Sequence, residues 1–270
     1  MDNHVNDYFS ESSDQTPKGN FHKVIAVHNS PEITWKSFSQ KIPDLCKGWF
    51  ELVHLPSKDR IEFTRDFWLT KLPYHPNLND FLIRFFDSVD DIGLFITQQK
   101  FDDPFEAHLI YNLKGGNSFF RGACPATEDR IMRLQKLFPD IILPDDYLAF
   151  LQIHDGFCKT TDCTGIISSK KMEETYQRFQ ALLAQEEPPQ EGYAQQSFDP
   201  KTLIPFYESF GMPFFQCFWS EWYPEHEMGN VYYSGLTKTI SNVKNNNSSI
   251  ENMAFQTFTD WLMFYLERIE

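Results

Sequence analysis

His154 and Asp155 stand side by side in "LQIHDGF", and an imidazole next to a carboxylate is the pairing that a general base and its orienting acid require. The same histidine opens a His154, Cys158, Cys163 series that a soft metal ion could use. A structural zinc needs four ligands, however, and the close two-cysteine knuckle is missing. In "HEMGN", His226 and Glu227 begin as a helical zinc-protease motif does, but Asn230 occupies the place of the second histidine. Without that histidine the ligand pair on one helix face cannot form. No metal or cofactor ligand set is therefore assigned.

A different chemistry is written in "FWSEWYPEHEMG", Phe218 to Gly229, where Trp219, Trp222 and Tyr223 alternate with Glu221, Glu225 and Glu227. Rings of this size supply stiff contact area and interleaved carboxylates steer a basic partner, which suits a protein interface. On this reading Trp219, Glu221, Trp222, Tyr223 and Glu225 are the partner-binding residues. Nucleotide and acyl-transfer signatures are absent: the chain has no glycine-rich dinucleotide fingerprint, no phosphate-loop lysine and no nucleophile elbow. "LKGGNS" is read as a hairpin turn.

Charge points the same way. The formal net charge is -14, with 17 acids and 13 bases before Cys124 and 21 acids and 11 bases from it onward. A surface of that sign argues against duplex nucleic acid or an anionic membrane as partner and favours a basic protein. The opening residues lack the basic and apolar blocks of a secretory signal, and no apolar run approaches the ~18 residues of a membrane span. The five cysteines, Cys46, Cys124, Cys158, Cys163 and Cys217, are odd in number and scattered, as reduced thiols are. A cytoplasmic location is the expectation.

The elements that must position these residues are read from periodicity. Residues 1–20 are polar and are expected to be a disordered lead-in. In "SKDRIEFTRDFWLTKLP" a helix is expected from Ser57 to Pro73, with Ile61, Thr64, Trp68 and Leu72 on one face and Phe63 and Phe67 on another. A helix apolar on two faces is expected to be buried between neighbours. "NLNDFLIRFF" reads as a second helix and "DIGLFIT" as a buried strand. "FEAHLIYNL" alternates, with Ala107, Leu109 and Tyr111 on one side and His108, Ile110 and Asn112 on the other, before the turn into "SFFRG". Residues 21–123 form a small α+β domain on this reading.

From Cys124 the pattern restarts. Thr127 caps a helix carrying Ile131, Leu134, Leu137 and Phe138. In "LPDDYLAFLQIHDGF" Pro144 suits a first helical position, Asp145 and Asp146 suit the positive helix start, and Tyr147, Phe150, Leu151 and His154 recur on one stripe. Gly156 then supplies the left-handed end. This places His154 on an apolar stripe and leaves catalysis little room. Another helix follows through Met172, Tyr176, Phe179 and Leu183. Strands are expected in "TLIPFY", "PFFQCFW", "NVYYSG" and "MAFQ", and a final helix, "TFTDWLMFYLERI", opens on a Thr257/Asp260 capping pair.

This order of a helix, "LPDDYLAFLQIHDGF", a strand-rich middle with "LIPF" (Leu203 to Phe206) and a closing "FTDWLMFYL" resembles the SUKH superfamily over roughly residues 125 to 270. That superfamily includes bacterial immunity proteins against secreted toxins and fungal regulators of cell-wall synthesis. The resemblance implies an α+β fold, an antiparallel sheet flanked by helices, in residues 124–270, acting by protein binding. The rival expectation is a hydrolase-type enzyme using His154 or His226.

Overall fold

The computed structural model describes residues 1–12, 19–115, 118–162, 164–184, 199–209, 213–221, 228–236, 239–241 and 253–267. Their internal contacts form two compact units, Met1–Thr127 with Gln152–Thr160, and Glu128–Leu151 with Thr161–Glu270. Each pairing between strands of the described residues is antiparallel, and with the helices this gives the α+β class. The expected division after residue 123 counts residues 152–160 with the second domain; they belong to the first unit, because the strand they carry pairs there.

The first unit runs α1 (Asn3–Tyr8), β1 (Lys23–Ala26), α2 (Trp35–Ser39), α3 (Lys47–Leu52), α4 (Ser57–Lys71), α5 (Leu78–Asp87), β2 (Val89–Gln98), β3 (Glu106–Leu113), β4 (Phe119–Ala123) and β5 (Phe157–Lys159). Its strands pair in chain order, with Ile92 opposite Tyr111, Tyr111 opposite Phe120 and Arg121 opposite Cys158. Strand side chains alternate between faces. Tyr111 and Phe120 thus share one face, which packs against α4 and α5 through Trp68, Phe85 and Phe86.

The opposite face corrects the expectation of a disordered start. Residues 1–12 are an ordered cover: the Asp2 carboxylate caps α1 by accepting the Val5 N–H at 3.0 Å. Val5, Phe9 and Phe21 bury against Phe95, Ile110 and Phe119. With this cover in place, both sides of β3 are buried, His108 and Asn112 included. The composition of the opening residues is polar, but their few apolar side chains fall where the sheet can take them. Helix α4 is corrected too: Thr64 and Trp68 are buried, yet Phe63 and Phe67 are 60% and 41% exposed. Among the described residues no neighbour covers that second apolar face.

The second unit runs α6 (Glu128–Leu137), α7 (Asp145–Leu151), β6 (Gly165–Ile166), α8 (Met172–Ala184), β7 (Leu203–Glu208), β8 (Phe214–Trp219), β9 (Asn230–Ser234), β10 (Thr239–Ile240) and α9 (Phe258–Leu266). Its core gathers Phe179 of α8 with Leu203, Phe215, Cys217, Val231 and Tyr233 from three strands. A second aromatic group joins Tyr147, Phe206, Phe218 and Phe258. The expected strand at "MAFQ" is reduced to a single bridge between Asn230 and Phe255. Helix α7 is shorter than expected and ends before His154, which lies in the following loop. Gly156 does adopt positive φ, 110°, but as the entry to β5.

Candidate functional site

His154 is fully buried, and both ring nitrogens are committed. The Trp68 indole N–H donates to the Tyr111 hydroxyl at 3.1 Å, and that hydroxyl donates to Nε2 of His154 at 2.6 Å. Nδ1 of His154 donates to the Ala123 carbonyl at 3.1 Å. A carbonyl can only accept, so the tautomer is fixed with the proton on Nδ1. Burial outweighs the bond to Ala123 and holds the imidazolium pKa down to about 3, which leaves a neutral ring at ordinary pH. Space is equally tight: a Cβ on Gly122 would lie 2.2 Å from Nδ1 of His154, so only glycine fits beside this ring. Asp155 is buried as well, its backbone N–H on the Cys124 carbonyl at 3.3 Å. This histidine therefore binds elements together and has no open side from which to take a proton from a solute.

The other chemical candidates divide between the described residues and those outside them. Cys158 is buried in β5; Cys163, His226 and Glu227 lie outside the described residues. Among the described residues no three metal-ligating side chains converge.

Of the partner-binding residues, Trp219 is corrected. In β8 the period of two points Phe215, Cys217 and Trp219 to the same side, and all three sit in the core of the second unit, with Trp219 4% exposed. A ring so placed stabilises the sheet and offers no contact surface. Glu221, two residues on, is exposed. Trp222, Tyr223 and Glu225 lie outside the described residues.

Sequence reasoning missed three polar constructions in the second unit. The carboxylate of Asp146 accepts the backbone N–H and the hydroxyl of Thr259, at 2.8 and 2.9 Å. Asp162 receives the hydroxyl of Tyr207 at 3.0 Å and that of Tyr265 as well. The buried Gln216 amide donates to Asn230 Oδ1 at 2.8 Å and to the Met253 carbonyl at 3.0 Å, while Asn230 Nδ2 reaches the Thr257 carbonyl at 2.9 Å. A buried amide requires such partners, so Gln216 and Asn230 inside strands read as apolar were the available signal. The expected Thr257 cap is present, its hydroxyl accepting the Asp260 N–H at 3.0 Å.

No helix of the described residues is long and apolar enough to cross a membrane. A family model described as SMI1 / KNR4 family (SUKH-1) matches residues 125–263. No match was found among curated proteins or among solved structures.

Proposed function

Because the chain belongs to the SMI1/KNR4 family (SUKH-1), a family associated with immunity proteins and cell-wall regulators, we propose that it works in the cytoplasm by binding another protein and not by catalysis. The partner is a basic protein, either a toxin held inactive or a component of a regulated complex. The binding segment begins at Glu221 and includes Trp222, Tyr223 and Glu225.

The observation that carries this reading is the break between Trp219 and Glu221. The ring is locked in the core while the carboxylate two residues later is exposed, immediately ahead of Trp222 and Tyr223 in the sequence. From Met172 onward the chain holds 14 acids against 5 bases, an imbalance that speeds encounter with a basic surface and weakens as salt screens it. The commitment of His154 to Tyr111 and Ala123 removes the leading general base from the rival hydrolase reading.

The test is recovery of the partner from the native source, followed by titration at two ionic strengths. Trp222→Ala should weaken binding by about 2 kcal/mol or more, as interface hot spots do, and Glu225→Gln should slow association chiefly at low salt. Trp219→Ala should instead destabilise the fold by about 3 to 5 kcal/mol. An acidic partner, or full affinity in the Trp222→Ala protein, would move the interface elsewhere.

A further inference from the structure

Helix α4 carries a row of four side chains at a spacing of four residues: Asp59, Phe63, Phe67 and Lys71. Residues so spaced lie one above another on a helix and span about 18 Å at 1.5 Å per residue. Both phenylalanines are exposed, at 60% and 41%, and Leu55 just before the helix and Tyr74 just after it are exposed too.

The charges of α4 single out the same row. Lys58 pairs with Glu62 at 3.7 Å, Arg60 with Asp91 at 3.2 Å and Arg65 with Asp66 at 2.9 Å. Asp59 and Lys71 alone among the charged residues of α4 have no ion-pair partner among the described residues; Lys71 Nζ lies 6.0 Å from the Phe67 ring centre. An acid at the start and a base at the end suit the helix dipole by themselves. Two uncovered phenylalanines between them have no such explanation.

We propose that this face is a contact between two copies of the chain, α4 against α4 in antiparallel sense about a two-fold axis. The row is its own complement when reversed: Asp59 meets Lys71 of the second copy, Phe63 meets Phe67, and both ends are satisfied by one operation. A two-fold contact requires this self-complementarity. Packing of such four-residue rows from two helices into each other's grooves is a common crossing, at about -50°. The antiparallel arrangement also opposes the two helix dipoles favourably. A basic partner protein suits the row less well, because Lys71 would face it. The net charge of -14 opposes the approach of two copies at long range, so the contact forms where salt screens that repulsion to within roughly 8 Å.

Sedimentation velocity of the full chain, run from about 1 to 100 μM in roughly 150 mM salt, tests the contact. A reversible dimer is expected. Phe63→Ser/Phe67→Ser should raise its dissociation constant by about a hundredfold or more, and Asp59→Lys or Lys71→Asp alone by about tenfold. Asp59→Lys with Lys71→Asp should restore the dimer to within about threefold, because the reversed row is again its own complement. The thermal midpoint checks that each variant is folded. A wild-type chain that stays monomeric throughout would overturn the proposal. So would a dimer indifferent to the phenylalanine changes, or a double charge reversal no tighter than the single ones.

Discussion

The Asp146 carboxylate caps α9 through Thr259, 113 residues away in the chain, taking its N–H at 2.8 Å and its hydroxyl at 2.9 Å on the same oxygen. The other oxygen accepts the N–H of Tyr147 at 2.9 Å. Asp146 thus ties the first turn of α7 to the first turn of α9, two helices whose rings Tyr147, Phe150 and Phe258 already pack together.

Removing that carboxylate strands a partly buried N–H and hydroxyl. Asp146→Ala should cost about 1 to 3 kcal/mol, the usual range for buried groups left without an acceptor. Asp145→Ala, at the neighbouring acid, should cost a few tenths of that. Urea unfolding of both variants is the check, and equal losses would show that helix-dipole effects account for both acids.

The chain from Trp68 through Tyr111 to His154 makes a second prediction. Tyr111→Phe keeps the ring but leaves Nε2 of His154 without its donor and the Trp68 N–H without this acceptor. The expected loss is again about 1 to 3 kcal/mol. Recovery in a Tyr111→Phe/His154→Phe double variant would show that the unpaired groups, and not lost packing, carried the penalty. A neutral Tyr111→Phe would remove the network from any account of stability.

Acid sensitivity follows from two histidines. Burial, helped by the Arg121 charge, holds His108 down to about 3, and burial alone does the same for His154. Both lie below the unfolded value of 6.5, so between these limits the unfolded chain binds more protons and stability is lost as the pH is lowered. The slope approaches about 1.4 kcal/mol per pH unit for each histidine below roughly pH 6. Asp146 works in the opposite sense within the carboxylate range, because burial raises it despite its bonds to Thr259. Urea midpoints between about pH 7.5 and 5 isolate the histidine part. His28, which burial also holds below its ordinary value, adds its own part; His108→Gln should lower the slope by up to about 1.4 kcal/mol per pH unit, and a flat profile would contradict the buried neutral rings.

What the sequence made legible was the local chemistry. Thr257 and Asp260 lie three residues apart and form the cap they predict, and the periodicity of "SKDRIEFTRDFWLTKLP" places α4 where it stands. Asp146 was readable only as an acid at a helix start, because its true partner is fixed by the tertiary fold. Trp219 was misread as part of an aromatic cluster although its strand period, shared with Phe215 and Cys217, already pointed it inward. The short strands β1, β5, β6 and β10 carry too few residues for alternation to be distinguished from chance. Phe63 and Phe67 show the converse case: an apolar face that periodicity finds correctly and the fold leaves open.

Residues 152–160 belong to the first unit although the chain reaches them only after α6 and α7 of the second. For a chain emerging from the ribosome this sets an order. The sheet of the first unit waits, with Phe120 and Tyr111 lacking Phe157 and His154 beside them, until residue 160 has been made. The family-matched stretch, residues 125–263, contains that missing strand and so carries off part of its neighbour's core when excised. The N-terminal fragment of such a cut lacks a strand of its own sheet, and the other fragment carries that strand without its partners, so gene fusions or shuffled domains that respect the family boundary would inherit opposite defects on the two sides.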